Sequence, residues 1–291
     1  MQLLDPKNDV VFKLMMVRNP NLLRQMLQAV LGAVIVELEI KNPEIPGDLS
    51  PDKQIALDVR ARDQEGRWFD VEMQTYGDPA LAERLLFYWA RLYSSQLGQG
   101  ERYSELKPTY TIVWCLPVLF PQLEKLHSVF EARDTISGEL FSEHLQIHLL
   151  QLAKLGCALD TNSEVTRWAR FFVARTQQEL QALAAESATM EEAKNTLDEL
   201  SNDRHARWAA EDRARSQATY RARLDKAAAD GRSEGRLAGR QQMLLEVLTQ
   251  RFGELPLWVR QRVEAATTIA LSDLAARAVS EPTLESVFEK R

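Results

Sequence analysis

Acidic and amide residues at alternate positions around a glycine-containing turn are the first feature that could do chemistry. Asp58 precedes the turn Asp63-Gln64-Glu65-Gly66, and Glu72 and Gln74 follow it. Residues two positions apart on a strand project from one face, so Glu72 and Gln74 would share a face. A three-residue loop, Gln64 to Gly66, gives glycine the left-handed position that such a hairpin needs. In that register Asp58 lies directly opposite Glu72.

The predicted register brings two carboxylates together. Directly opposite residues of antiparallel strands have Cβ atoms roughly 5 Å apart, and two negative charges at about that distance repel by about 3 kcal/mol at an effective dielectric of about 20. Arg60 faces Asp70, so nothing within the hairpin neutralises both Asp58 and Glu72. A divalent cation would do so, and carboxylate oxygens suit Mg²⁺ or Mn²⁺. Gln74 projects from the same face and could hold a water or a phosphate oxygen.

An ordinary solvated hairpin is the alternative interpretation, because polar strand faces usually meet only water and a nearby lysine could satisfy either acid. The helix that follows carries Arg84, Tyr88 and Arg91 on one stripe, which is either a solvated face or a phosphate contact. The histidines show no metal-ligand spacing; they are His127, His144, His148 and His205.

The surrounding sequence predicts the elements that would hold this hairpin. Apolar and polar residues alternate from Ile55 to Tyr76, which is typical of two paired strands. Residues 8–17 and the segment between Pro20 and Gly32 have helical apolar spacing. A proline-rich loop, Pro43 to Pro51, precedes the hairpin. The strand patterns that follow, one buried and two weaker, are Thr109–Leu116, 127–133 and 144–152.

The character of the chain changes beyond about residue 160. Residues 176–230 are rich in Ala, Glu, Arg, Gln and Asp and contain no glycine or proline, which predicts long, largely solvated helix. In the polar segment that follows, glycine recurs every four residues, at Gly231, Gly235 and Gly239. The predicted parts are therefore a core at 1–175, a charged helical linker at 176–240 and a small all-α module at 241–291. We predict that a fragment ending near residue 175 folds alone.

Composition limits the classes of protein that fit. The formal net charge is −6, which argues against a protein that coats nucleic acid, since such binding needs many Lys and Arg contacts to phosphate. No apolar run approaches the roughly 18 residues of a membrane span, and the N-terminus lacks a secretory signal. Two isolated cysteines, Cys115 and Cys157, make neither a disulfide framework nor a CxxC site. The cytoplasm is the expected compartment.

At these residues the sequence resembles a known family. Asp58, followed after fourteen positions by Glu72-Met73-Gln74, resembles the D…ExQ signature of the recombination-promoting nuclease/transposase family, a branch of the PD-(D/E)xK nucleases. The stretch Asn8 to Lys13 is similar to the N-terminal D-x-x-F-K helix of that family. The residues similar to its later helix and its G-x-x-Y element are Arg84, Tyr88, Tyr93 and Gly100-Glu101-Arg102-Tyr103. The resemblance covers roughly residues 5–155, and the C-terminal stretch resembles a helical domain of unknown function that often follows this core.

The resemblance implies a restriction-endonuclease-like α/β core, with a mixed sheet between helices, and metal-dependent cleavage of DNA. Asp58 and Glu72 would ligate Mg²⁺ or Mn²⁺, which would lower the pKa of a bound water and stabilise charge on the phosphate. Asp9, on the first helix, would support the metal through water or from a second shell. Lys13 and Arg84 would contact DNA phosphate.

Gln74 departs from the general nuclease pattern, since it takes the place of the usual lysine. A neutral amide can orient water but cannot supply a positive charge or act as a base. This departure bears on the rate more than on the type of reaction. Two other classes stay open: a catalytically degenerate nuclease fold that serves as a DNA-binding module, and an assembly protein that forms a homo-oligomer through its C-terminal helices.

Overall fold

The computed structural model describes residues 3–42, 58–157 and 163–289, and the chain divides into two units, Met1–Gln217 and Ala218–Arg291. The predicted proline-rich loop, Pro43 to Pro51, and the start of the predicted alternation, Ile55 to Leu57, lie outside the described residues. In the part of the chain that is described, no helix combines the length and the apolar character that crossing a membrane requires.

A mixed six-stranded sheet lies at the centre of the first unit. Its strands are β1 (Leu38–Ile40), β2 (Val59–Asp63), β3 (Trp68–Gln74), β4 (Thr109–Cys115), β5 (His127–Glu131) and β6 (Leu145–Gln151). Their order is β1-β2-β3-β4-β6-β5, with parallel pairing of β3 to β4 and of β4 to β6 and antiparallel pairing elsewhere. This mixed sheet confirms the predicted α/β class.

Helices cover both faces of the sheet. They are α1 (Asp9–Arg18), α2 (Pro20–Leu31), α3 (Leu81–Ser94), α4 (Glu164–Val173), α5 (Gln177–Ala184), α6 (Ala188–Asn202) and the start of α7 (Arg204–Phe252). The larger core lies between the sheet and most of these helices, and it buries Phe12, Trp114, Trp168 and Phe172. On the opposite face, α3 packs through Leu81 and Leu85 against Val113 and Cys115 of β4. The sheet is therefore enclosed, as a restriction-endonuclease-like fold requires.

The hairpin of β2 and β3 has the predicted register. Arg62 pairs with Trp68 and Arg60 pairs with Asp70, which is the pairing that a three-residue loop imposes. Gly66 adopts a φ of 82°, and a Cβ at this position would lie 3.0 Å from the side chain of Arg62. The turn therefore needs glycine for its backbone conformation, and a larger residue would also displace the Arg62 side chain.

The acidic end of the hairpin lies where the chain enters β2. Asp58 immediately precedes Val59, whose partner across the hairpin is Val71. Continuing the same register by one residue places Asp58 opposite Glu72. Glu72 also lies beside Val113 of β4, on the sheet face that α3 covers. The hairpin and α3 together therefore position the acids.

The first unit extends beyond the predicted boundary at residue 175. Helices α5 and α6 enter the same core through apolar residues at helical spacing: Leu180, Leu183, Met190, Ala193, Leu197 and Leu200. Ala206 and Ala210 of α7 are buried there as well, and the unit ends at Gln217. Residues 176–240 are therefore not a solvated linker throughout, because charged residues flank a narrow apolar stripe that belongs to the core.

The second unit, Ala218–Arg291, has a core of its own within the region predicted to form a small all-α module. The end of α7 packs with α8 (Leu257–Glu264), α9 (Thr268–Ser280) and α10 (Leu284–Phe288). The buried residues include Leu244, Leu248, Val259, Val263, Leu271 and Phe288. Residues 221–236 of α7, in contrast, are all exposed.

Candidate active site

A cleft at the hairpin brings together five of the six residues predicted to form a site: Asp9, Asp58, Glu72, Gln74 and Arg84. The rest of its lining consists of Met73, Tyr76, Tyr88 and Arg213. Lys13, the sixth, does not line this cleft and is fully buried on α1. Its position therefore does not favour the predicted contact with DNA phosphate.

Asp58 precedes β2, and its carboxylate forms an ion pair with Arg60 but no aligned hydrogen bond with the described residues. Its side chain is buried, and neither carboxylate oxygen has an aligned hydrogen-bond donor among the described residues. Arg60 Nε lies 2.7 Å from Asp58 Oδ2 and 3.7 Å from Asp70 Oδ1. Arg60 lies opposite Asp70 as predicted, but the inference that Asp70 engages its charge is wrong, because the guanidinium contacts Asp58 more closely. Asn42 fixes the backbone here, since its amide donates to the Asp58 carbonyl and accepts the Arg60 N–H.

Three acids, Asp58, Asp70 and Glu72, share this end of the hairpin, and burial disfavours the charged forms of Asp70 and Glu72. Burial raises the pKa of Glu72 to about 7 against the opposing charge of Arg84, and the charge of Asp58 adds to the rise. Burial also raises the pKa of Asp70 well above its usual value, and the charges of Asp58 and Glu72 raise it further. A bound cation would stabilise the charged carboxylates that burial disfavours here.

Gln74 has both ends of its amide engaged by the protein. Its Oε1 accepts a hydrogen bond from Arg84 Nη2 at 2.9 Å, and its Nε2 donates to the Tyr76 carbonyl at 2.9 Å. Arg84 Nη1 in turn donates to Asp78 Oδ2 at 2.8 Å, and Arg84 Nη2 lies 3.9 Å from Glu72 Oε2. Holding a water or a phosphate oxygen, as predicted for Gln74, would compete with these contacts.

Asp9 forms a buried ion pair with Arg213, a cleft residue that sequence reasoning missed. Arg213 Nε and Nη2 lie 2.9 and 2.7 Å from Asp9 Oδ2, and Gln217 Nε2 donates to the same oxygen at 3.1 Å. The Arg213 side chain is only 1% exposed. Asp9 and Arg213 are 204 positions apart, so no local pattern could have joined them. The predicted support of a metal by Asp9 must therefore compete with Arg213.

Asp70 was not assigned to the site from the sequence, and Tyr88 was assigned only to a helix stripe that is either a solvated face or a phosphate contact. The alternation of β3 already places Asp70 on the face of Glu72, but the prediction treated it as the partner of Arg60. Tyr88 shares a helix stripe with Arg84, whose Cζ lies 5.9 Å from the Tyr88 ring centre. Strand parity and helical spacing were therefore the signals available for both.

The comparison with protein families decides the class of this chain. Residues 6–227 match the model of the family described as PD-(D/E)XK nuclease family transposase. The chain belongs to this family. The matched residues extend through α5 and α6 into α7, so they include Arg213 as well as Asp58 and Glu72. Neither curated proteins nor solved structures yield a significant match.

The side chains that line the cleft fit a hard divalent cation. Asp58 and Glu72 offer carboxylate oxygens, and those of Asp58 are buried without aligned donors among the described residues. The cleft has about 20 Å³ of space for a water-sized group, which is room for about one water or one ion. Among the described residues, no three His, Cys, Asp or Glu side chains form a closed ligand set. Mg²⁺ is commonly bound by one or two carboxylates together with water and phosphate, so an open pair fits it.

A pair of histidines lies outside this cleft. His127 Nε2 on β5 is 3.0 Å from His148 Nδ1 on β6, and His148 Nε2 is 3.1 Å from Gln146 Oε1. Burial lowers the pKa of His148 to about 4, and the charge of His127 lowers it further. The pair therefore joins two strands as neutral hydrogen-bonding groups.

Proposed function

We propose that this chain is a metal-dependent DNA endonuclease whose centre is the pair Asp58 and Glu72. The observation that carries the proposal is the placement of these two acids across the hairpin in one open cleft. The Asp58 oxygens lack aligned donors among the described residues, and burial raises the pKa of Glu72. Membership of the PD-(D/E)XK nuclease family transposases supports hydrolysis of phosphodiesters and DNA as the substrate.

Asp58 and Glu72 would hold Mg²⁺ or Mn²⁺ through their carboxylate oxygens. A cation bound there supplies Lewis acidity that activates water and offsets charge at the phosphate. Arg60 offsets the repulsion between Asp58 and Asp70, because its guanidinium lies within 3.7 Å of both acids. Asp9 is engaged by Arg213, so its proposed role is to fix one wall of the cleft, with any support of the metal passing through water.

Cleavage of supercoiled plasmid by the full chain tests the proposal. We expect conversion to nicked or linear DNA when Mg²⁺ or Mn²⁺ is added, and loss of conversion when a chelator removes the ion. DNA binding is measured by gel shift on the same samples. If the protein binds DNA but leaves the plasmid intact across titrations of both metals, the endonuclease proposal fails and the degenerate DNA-binding module is the better account.

The degenerate module is the second candidate, and a specific observation favours it. Gln74 stands where a lysine is usual, and both ends of its amide contact Arg84 and Tyr76 rather than the open cleft. The net charge of −6 also limits how strongly the protein holds DNA through phosphate contacts alone. The plasmid experiment separates the two candidates, because the module would bind DNA without cleaving it.

We also propose that the protein self-associates through its C-terminal helices. Residues 221–236 of α7 are exposed on all sides, and a helix that is polar and exposed all round gains little stability from its own chain. Light scattering on the full chain and on a chain ending at residue 217 tests this by measuring the number of chains in each particle. The same number of chains in both samples would contradict the proposal.

We also propose that the protein acts in the cytoplasm, which agrees with the two unpaired cysteines.

A further inference from the structure

Arg84 is the cation that α3 brings to the end of the catalytic hairpin. The apolar residues Leu81 and Leu85 of α3 pack against the sheet. Arg84, which precedes Leu85, lines the cleft together with Asp58 and Glu72. Its side chain is only 18% exposed. The packing of α3 against the sheet therefore fixes the position of Arg84, which is not a solvent-exposed surface arginine.

The contacts of Arg84 orient its guanidinium. Nη1 donates to Asp78 Oδ2 at 2.8 Å and Nη2 donates to Gln74 Oε1 at 2.9 Å. The ring of Tyr88 lies beside it, with 5.9 Å between Cζ and the ring centre. Nη2 is also 3.9 Å from Glu72 Oε2, too far for a hydrogen bond but close to the acid that would hold the metal.

Gln74 is the link between the hairpin and this arginine. It occupies the third position of the Glu72-Met73-Gln74 motif, yet its side chain carries no charge and its Oε1 accepts a hydrogen bond from Arg84. A glutamine can accept from a guanidinium, whereas a lysine at the same position would repel it. The glutamine and the arginine are therefore chemically matched to each other.

On the basis of the proposed nuclease function, we propose that Arg84 supplies to the scissile phosphate the positive charge that Gln74 cannot, and that Gln74 is the residue that positions Arg84. A guanidinium is always charged and can bind two phosphate oxygens at once. Arg84 therefore stabilises charge on the phosphate and takes no part as a base. The cation of the motif has moved from the strand to the helix.

The test compares four variants of the full chain: Arg84→Gln, Arg84→Lys, Gln74→Lys and the double variant Gln74→Lys with Arg84→Gln. Arg175→Gln is the matched control, since Arg175 is an exposed arginine of the same unit, outside the cleft. Removing one donor that acts on the transition state lowers kcat by about 100-fold or more. We expect that loss in Arg84→Gln, a partial return in Arg84→Lys and wild-type kcat in the control.

The double variant is the decisive comparison. With Arg84 removed, a lysine on the strand should recover at least about 10-fold of the lost kcat, because the charge returns to the same phosphate. In the Gln74→Lys single variant, two cations compete for one place and kcat should fall. A double variant no better than Arg84→Gln, or an Arg84→Gln variant within about 3-fold of wild type, would overturn the proposal.

A binding measurement keeps this proposal separate from the nuclease proposal. Affinity for a short duplex is measured against salt in Ca²⁺, with unfolding monitored by circular dichroism. Loss of one phosphate contact reduces the slope of log K against log salt by about 0.9, so we expect that reduction in Arg84→Gln and not in Arg84→Lys or Arg175→Gln. If wild type proves inactive, the nuclease proposal fails alone; an unchanged slope in Arg84→Gln overturns the assignment of Arg84 to phosphate.

Discussion

Glu72, a proposed metal ligand, illustrates at the scale of one residue how a buried acid affects folding. Its pKa is about 7 in the folded chain against a usual 4.5, so between these pH values the folded state holds a proton that the unfolded state has released. Stability therefore falls as pH rises from about 4.5 to 7, and the loss is complete above the folded pKa. The difference corresponds to about 3 kcal/mol.

We therefore predict that Glu72→Gln stabilises the metal-free protein at about pH 8, by up to about 3 kcal/mol, because the buried charge is removed. Urea unfolding of both proteins between about pH 5 and 8 measures this. Mg²⁺ should raise the stability of wild type at the upper pH and have a much smaller effect on the variant. Parallel pH profiles for the two proteins would contradict the prediction.

His148 gives the opposite pH dependence at a residue outside the cleft. Its folded pKa is about 4 against a usual 6.5, so the unfolded chain binds the proton first and stability falls as pH drops from about 6.5 to 4. The size is again about 3 kcal/mol. We predict that His148→Gln reduces this loss on the acid side, measured by urea unfolding, and leaves plasmid cleavage unchanged. An unaltered acid profile would show that His148 titrates normally.

Much of the site was predictable from single residues, because strand parity is a strict rule. Alternation and the Gly66 turn placed Asp58, Glu72 and Gln74 on one face, and the structure brings all three into one cleft. The position of the Arg60 guanidinium was not predictable. Either neighbouring acid is within reach of a long side chain, and packing selected Asp58.

At the scale of elements, α5 and α6 complete the core that the hairpin needs. Leu180, Met190, Leu197 and Leu200 are fully buried against it, and each buried side chain of this size contributes about 1.5–3 kcal/mol. Domains are stable by only about 5–15 kcal/mol in total. We therefore predict that a fragment ending near residue 175 does not fold, contrary to the expectation from sequence, whereas one ending near residue 227 does.

Circular dichroism melts and limited proteolysis of the two fragments measure this difference. A cooperative melt of the shorter fragment would contradict it. The sequence identified these segments as helices, since their composition favours helix. It did not reveal their burial, because the apolar stripe is narrow and the flanking positions are charged, as in a solvated helix.

A second prediction at the scale of elements concerns helix α7. Arg213 lines the cleft and forms an ion pair with Asp9, and both side chains are largely buried. Removing one partner of a buried pair leaves the other charge unpaired, at a cost of about 3–5 kcal/mol. We predict that loss for Arg213→Met in urea unfolding, and a much smaller loss for Arg213→Met combined with Asp9→Leu. Equal losses would show that the two residues are not coupled.

At the scale of the whole molecule, charge limits how the protein meets DNA. With a net charge of −6, non-specific attraction to phosphate is weak, and a divalent cation bound at the proposed site would reduce the negative charge that DNA meets there. We predict that Mg²⁺ strengthens DNA binding by wild type at constant ionic strength and does so far less for Asp58→Asn. Fluorescence anisotropy with labelled duplex measures the difference; equal Mg²⁺ effects would place the ion elsewhere.

The rate of Mg²⁺-dependent plasmid cleavage by Asp58→Asn and Glu72→Gln, measured beside wild type, tests the central claim most directly. Glu139→Gln serves as the control, since Glu139 is an exposed acid outside the cleft. Each cleft variant removes one carboxylate that we propose to bind the metal while keeping the shape of the side chain, so we predict that both lose at least about 100-fold in rate and that the control keeps the wild-type rate. Cleavage by Asp58→Asn and Glu72→Gln at the wild-type rate would contradict the assignment of the hairpin as the active site.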